Sequence, residues 1–170
     1  MFQPLFAELE SLLASVHPLT KFRYRQSHRD FIQRHDGHVW SVHLSYIKHD
    51  TEFDVTVDIG IRFDNVEEML NRDRGHLSDR EKKNTFTVGV EMGNLVCGQP
   101  KRWNIQSTED IEPTAAAIGT QVQDIAMPFF SEYSNPRALL SALEQPDFGR
   151  LLAPFNLEQT VSVMRELNAA

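Results

Sequence analysis

The chain has 170 residues, of which 41% are hydrophobic and 24% charged. A sequence of that size and composition buries an adequate core without disulfides or metal staples, which sets aside disorder and low complexity. Its one cysteine, Cys97, excludes an intramolecular disulfide and a thiolate zinc cluster built within one chain, and the net charge of −7 disfavours non-specific nucleic-acid binding.

The start, Met1-Phe2-Gln3-Pro4-Leu5-Phe6, lacks the basic lead and continuous apolar core of a secretory signal. No apolar run approaches the roughly 20 residues of a membrane-spanning helix, so the expected location is cytoplasmic. The charge is uneven: residues 1–85 hold 12 Lys and Arg against 14 Asp and Glu, whereas residues 86–170 hold 5 against 10. An acidic surplus suits a protein partner with a basic surface.

Phe2, Phe6, Leu9, Leu13 and Val16 recur at helical spacing and predict a first helix ending at His17-Pro18. Phe22–Tyr24 and Asp30–His35 read as short strands. Asp36-Gly37 between β-type runs signals a two-residue hairpin, expected as type I′ with positive φ at both positions. The next strand, His38–Ile47, places Trp40, Val42, Leu44 and Tyr46 on one face. After a turn near His49-Asp50, Phe53, Val55, Val57, Ile59, Ile61 and Phe63 alternate with Asp54, Thr56, Asp58, Gly60 and Arg62, the clearest strand in the chain.

Asp64, with Glu67 three residues on, predicts a capping box for a short helix. Arg72–Asn84 is polar apart from Leu77 and reads as a loop, with one helical turn opened by Ser78 and Glu81. Strands are expected at Thr85–Met92 and Lys101–Gln106, with a turn or bulge at Gly93-Asn94. A helix from Pro113 ends at Pro128, another opens at Asn135-Pro136, and the last carries Leu157, Val161, Met164 and Leu167 after Asn156. With neither repeat nor linker, residues 1–170 are expected to form a single α+β domain. Its antiparallel, meander-like sheet of about five to six strands would have the N-terminal and C-terminal helices packed on one face.

The other sheet face carries the polar residues. His43, Asp54, Asp58 and Glu91 are the candidates for proton transfer or metal-dependent hydrolysis if the strands bring them together, with Ser41, Ser45, Thr56 and Thr87 beside them. The competing readings are a solvated face and a protein-docking face. For docking, the candidates are Asp54, Asp58 and Arg62 on the sheet and Arg74, His76 and Asp79 in the long loop, because long polar loops in compact domains are usually functional or disordered. His35 and His38 flank the two-residue turn and form a cross-strand pair, the alternative metal ligands, with no third ligand at a fixed offset.

Lys21, Arg23, Arg25, Arg29 and Arg34, interleaved with Phe22, Tyr24 and Phe31, offer either a grip on single-stranded nucleic acid or a charged guard along a sheet edge. Cys97 reads as a small hydrophobe rather than a nucleophile. Gly89-Val90-Glu91-Met92-Gly93 lacks the Lys-Ser/Thr of a phosphate loop, and no cofactor is expected.

Several segments together carry a resemblance: Phe22-Arg23-Tyr24-Arg25, Trp40-Ser41-Val42-His43-Leu44, Phe53 to Ile61 with Gly60, and Ile125-Ala126-Met127-Pro128-Phe129-Phe130. Their order resembles the bacterial proteins grouped as domain of unknown function 4304. The chain departs from that family at Ser45-Tyr46-Ile47-Lys48, where the family has a Gln-rich segment. The resemblance implies no catalytic residues. Immunity proteins of similar look add an analogy: a non-enzymatic immunity or accessory factor.

Overall fold

The computed structural model describes residues 2–153 and 156–169. The architecture is α+β, with a six-stranded antiparallel sheet between helical ends. The strands are β1 (Arg23–Arg25), β2 (Asp30–Arg34), β3 (His38–Lys48), β4 (Phe53–Phe63), β5 (Val88–Glu91) and β6 (Trp103–Ile105). Their order is β1-β2-β3-β4-β5, a meander, and β6 pairs with the start of β4, Phe53 opposite Ile105 and Val55 opposite Trp103. Period-two alternation in β3 and β4 produces these long strands, because each apolar residue then reaches the same face.

The chain divides into two compact units: residues 1–33, 41–59 and 91–128, and residues 34–40, 60–90 and 129–170. In the first, helix α1 (Gln3–Leu13) lies on the apolar side of β3 and β4, with Phe6 stacked on Tyr46 at 4.1 Å and edge-on to Phe53 at 4.6 Å. Phe6, Leu9, Leu13, Phe31, Leu44 and Phe53 are fully buried there. Helix α1 ends at Leu13, short of Val16 and five residues before Pro18, the proline that was expected to end it.

In the second unit, α2 (Asp64–Leu70) and α3 (Asp79–Lys82) follow β4. Phe130, on the helix that runs to Tyr133, stacks on Trp40 at 5.1 Å. Leu139 and Leu143 of the helix Pro136–Leu143 and Met164 of the helix Leu157–Ala169 are buried with Ile61 and Leu70.

Four local expectations are corrected. Only Gly37 of the hairpin turn has positive φ (75°), so the turn is not type I′; one hydrogen bond, His35 N–H to the His38 carbonyl, closes it. Asp64 does not cap α2: Phe63 is the cap residue, and Asp64 instead receives Arg62 Nε at 3.0 Å. Gly93-Asn94 lies in a helix, α4 (Met92–Cys97), because the Glu91 carboxylate accepts the Asn94 N–H and so satisfies its first turn. Pro128 does not end its helix. The turn Val122–Ala126 widens to π geometry just before it, and this shift in hydrogen-bond register accommodates a residue with no N–H to donate.

Candidate functional site

Residues 72–84 form the most elaborately supported polar segment of the second unit. Ser78 and Glu81 make the expected capping box: the Ser78 hydroxyl accepts the Glu81 N–H, and the Glu81 carboxylate accepts the Ser78 N–H at 2.8 Å. From beneath, Arg62 Nη1 donates to the Lys82 carbonyl (3.2 Å) and the Thr85 carbonyl (2.7 Å). Asn71 Nδ2 donates to the Lys82 carbonyl at 3.1 Å and to the Thr85 hydroxyl at 3.1 Å. Carbonyls at both ends of the last turn are thereby occupied, which fixes the path of the returning chain.

Glu67 holds the cations in place. Its side chain is 0% exposed, with Arg74 Nη1 at 3.4 Å and Arg62 Nη1 at 3.9 Å from Oε2. Its Oε1 meets no hydrogen-bond donor. Above this layer, His76, Asp79, Arg80 and Lys83 are exposed. An open recess of about 540 Å³ lies among Arg62, Asp64, Glu68, Arg72, Asp79 and Lys83. The segment 72–84 has five Lys or Arg against three Asp or Glu, so it is locally basic in an acidic chain.

The other sequence candidates fall in separate places. Asp54 accepts from Asn104 Nδ2 (3.0 Å), pairs with His49 Nε2 (3.1 Å) and has Arg102 at 3.7 Å. The Asn104 amide first, then His49 and Arg102, hold its carboxyl below the usual carboxylate range. Asp58 accepts from Ser45 Oγ at 3.1 Å. Glu91 caps α4 and accepts the Lys101 N–H at 3.1 Å. No hydrogen bond or ion pair links His43 to Asp54, Asp58 or Glu91 among the described residues. Each carboxylate is engaged by a different neighbour in this geometry.

Of the docking candidates, Asp54 (14% exposed), Arg62 (13%) and Arg74 (18%) are bound from within, whereas His76 and Asp79 face solvent. His35 and His38 do stack, with ring centroids 4.7 Å apart and planes 7° from parallel. Among the described residues, no group of three or more His, Cys, Asp or Glu is placed to hold a metal ion.

The basic segment 21–34 is largely engaged too. Arg25 forms a two-pronged pair with Asp30, its Nε 2.8 Å from Oδ1. Arg29 lies over the rings of Phe6 (5.3 Å) and Tyr46 (5.0 Å) and 3.9 Å from Glu10, and Arg34 reaches Asp64 at 3.5 Å. Lys21 and Arg23 are exposed, and β1 is an edge strand, where such residues discourage edge-to-edge pairing. Glu10 itself is buried and accepts from the Tyr46 hydroxyl at 3.1 Å; burial, reinforced by that carboxylate, pushes the Tyr46 and Tyr24 hydroxyls up.

Two arrangements of polar residues escaped the sequence. Glu67 on α2 and Asn71 just past its end have nothing in their spacing to mark them as props for the 72–84 segment. The His49–Asp54 pair is five residues apart across a hairpin, a spacing that signals contact only once the register is known. No family model matches the chain, and neither a curated protein nor a solved structure has significant similarity to it.

Proposed function

We propose that this protein is a non-enzymatic binding domain that presents the 72–84 segment to a protein partner. One observation carries the reading: a solvent-facing, charged segment is held in a fixed path by Arg62, Asn71 and Glu67 from below, although it contributes little apolar burial of its own. Binding residues are characteristically loop residues positioned by a rigid scaffold. The contact is polar, since Val96, at 65%, is the exposed large hydrophobic among the described residues and lies in the other unit.

The local charge refines the partner. The chain as a whole favours a basic surface, but the segment has a positive surplus, so the patch that meets Arg72, Arg80 and Lys83 is acidic. The sheet acids Asp54 and Asp58, already paired within the fold, play a smaller part. The likeness to domain of unknown function 4304 proteins, and an immunity or accessory role in a bacterium, belong to the same proposal and assign no residue.

The test is affinity capture from the source cell with three baits: the native protein, Arg80→Glu with Lys83→Glu, and Asp54→Asn with Asp58→Asn. The expected result is a stoichiometric protein partner retained by the first and third and lost by the second. Capture of no such partner, or equal capture by all three, contradicts the proposal.

A further inference from the structure

We propose that the tip of the β2–β3 hairpin is an acid-sensitive latch, closed while the His35 and His38 rings stack and opened when both carry a proton. The rings lie face to face across the turn, 4.7 Å between centroids. Trp40 packs against His35 at 4.1 Å, and Phe63 against His38 at 5.8 Å. The Nε2 atoms of both rings are buried and meet no hydrogen-bond partner. A proton added to either Nε2 creates a buried, charged N–H with no acceptor, and a second proton adds repulsion between parallel rings. Neutral rings avoid both costs. His38 Nδ1 lies 3.3 Å from the Asp36 carbonyl, a contact that the neutral tautomer with hydrogen on Nδ1 supplies.

Charged groups also face the pair. From β2 comes Arg34, from the turn Asp36, and from α2 Asp64 and Glu68, which share with His38 a recess of about 580 Å³. Arg34 and Arg62 already pair with Asp64. The helix ending at Tyr133 and the turn beyond it contribute uncharged groups, Phe130 against Trp40 and the Ser134 hydroxyl, which accepts Trp40 Nε1 at 2.6 Å. Burial first, then the His38 charge, lowers the His35 ring below its ordinary value.

Opening has a defined reach. Two backbone bonds hold the tip: His35 N–H to the His38 carbonyl (2.9 Å) and Asp64 N–H to the Gly37 carbonyl (3.0 Å). The second ties the tip to the first residue of α2, so release of the tip frees one wall of the recess.

The test is a pH titration of the native protein by two-dimensional NMR, following the two imidazoles and the His35, Gly37 and Asp64 amides. The expected result is one coupled step as the pH is lowered, in which the amides move with both rings and their exchange rises at least ~10-fold beyond the intrinsic pH effect. His35→Gln and His38→Gln each abolish the step while keeping the native spectrum at pH 7.5. Rings that titrate independently while the amides stay still overturn the proposal, as does a step that persists in both variants. If neither variant folds, the native titration alone decides between these outcomes.

Discussion

At the scale of single residues, a carboxylate without exposed surface is stable only where cations or donors reach it. Glu67 has Arg74 and Arg62 on one oxygen and nothing on the other. Removing one member of a buried ionic group leaves the rest uncompensated, so Glu67→Ala should cost about 3 kcal/mol, read from the urea midpoint. Arg62→Ala should act on the segment more than on the core. Tryptic cleavage at Arg80–Lys83 is expected to speed up at least ~10-fold while the remainder resists, because the Thr85 carbonyl loses its Arg62 donor and the Lys82 carbonyl keeps only Asn71 and the Thr85 hydroxyl. Equal cleavage rates would show that the segment keeps its path without Arg62. His35 gives a pH prediction of definite sign. Its folded value lies below the ordinary value of about 6.5, so the unfolded chain binds more protons as pH falls. Its contribution is complete above about pH 7 and is lost as pH drops below 6.5. The urea midpoint should therefore fall more between pH 7.5 and 5.5 in the native protein than in His35→Gln.

At the scale of elements, close backbone approach explains why some segments defeat local signals. A Cβ at Gly93 would meet the Lys101 N and the Gln99 carbonyl, both backbone atoms that cannot swing away. Gly93→Ala should thus destabilise by about 2 kcal/mol through overpacking, measurable in the same urea series. The glycine that suggested a turn is there for that contact, and so α4 was not legible. By contrast, β4 was read to within its boundaries because eleven residues of strict alternation admit no helix. The Ser78–Glu81 box forms as expected and the Asp64–Glu67 box does not form, although the two sequences look alike. Asp64 is held by Arg62, and Glu67 is buried beneath the loop, so tertiary partners outbid the local cap. Pro128 misled for a related reason: a widened turn removes the conflict that normally stops a helix. The polar sheet face was legible as residues but not as a site. Side chains that alternation puts on one face, such as Asp54 and Asp58, were claimed by different neighbours, His49 with Asn104 and Ser45.

At the scale of the whole molecule, the charge of −7 is carried outside the contact segment, which has a positive surplus. Asp54, Glu81 and Asp110 are all held below the usual carboxylate range, Asp54 chiefly by Asn104, Glu81 by Ser78 and Asp110 by the Gln106 and Ser107 N–H groups. For depressed carboxylates the stabilisation is present above the unfolded value of about 4 and is lost as pH falls below it. Acid unfolding is therefore expected as a second stage, below about pH 4, separate from the hairpin-tip step at higher pH. A single transition by circular dichroism with no preceding change at the tip amides would contradict that order.

The central claim is that the pinned 72–84 segment is where a partner docks. Amide hydrogen exchange of the captured complex, compared with the free protein, reads this directly. The account predicts exchange slowed at least ~10-fold across residues 76–83, with residues 54–58 of β4 unchanged. Slowing confined to β4, or no complex to measure, would contradict it.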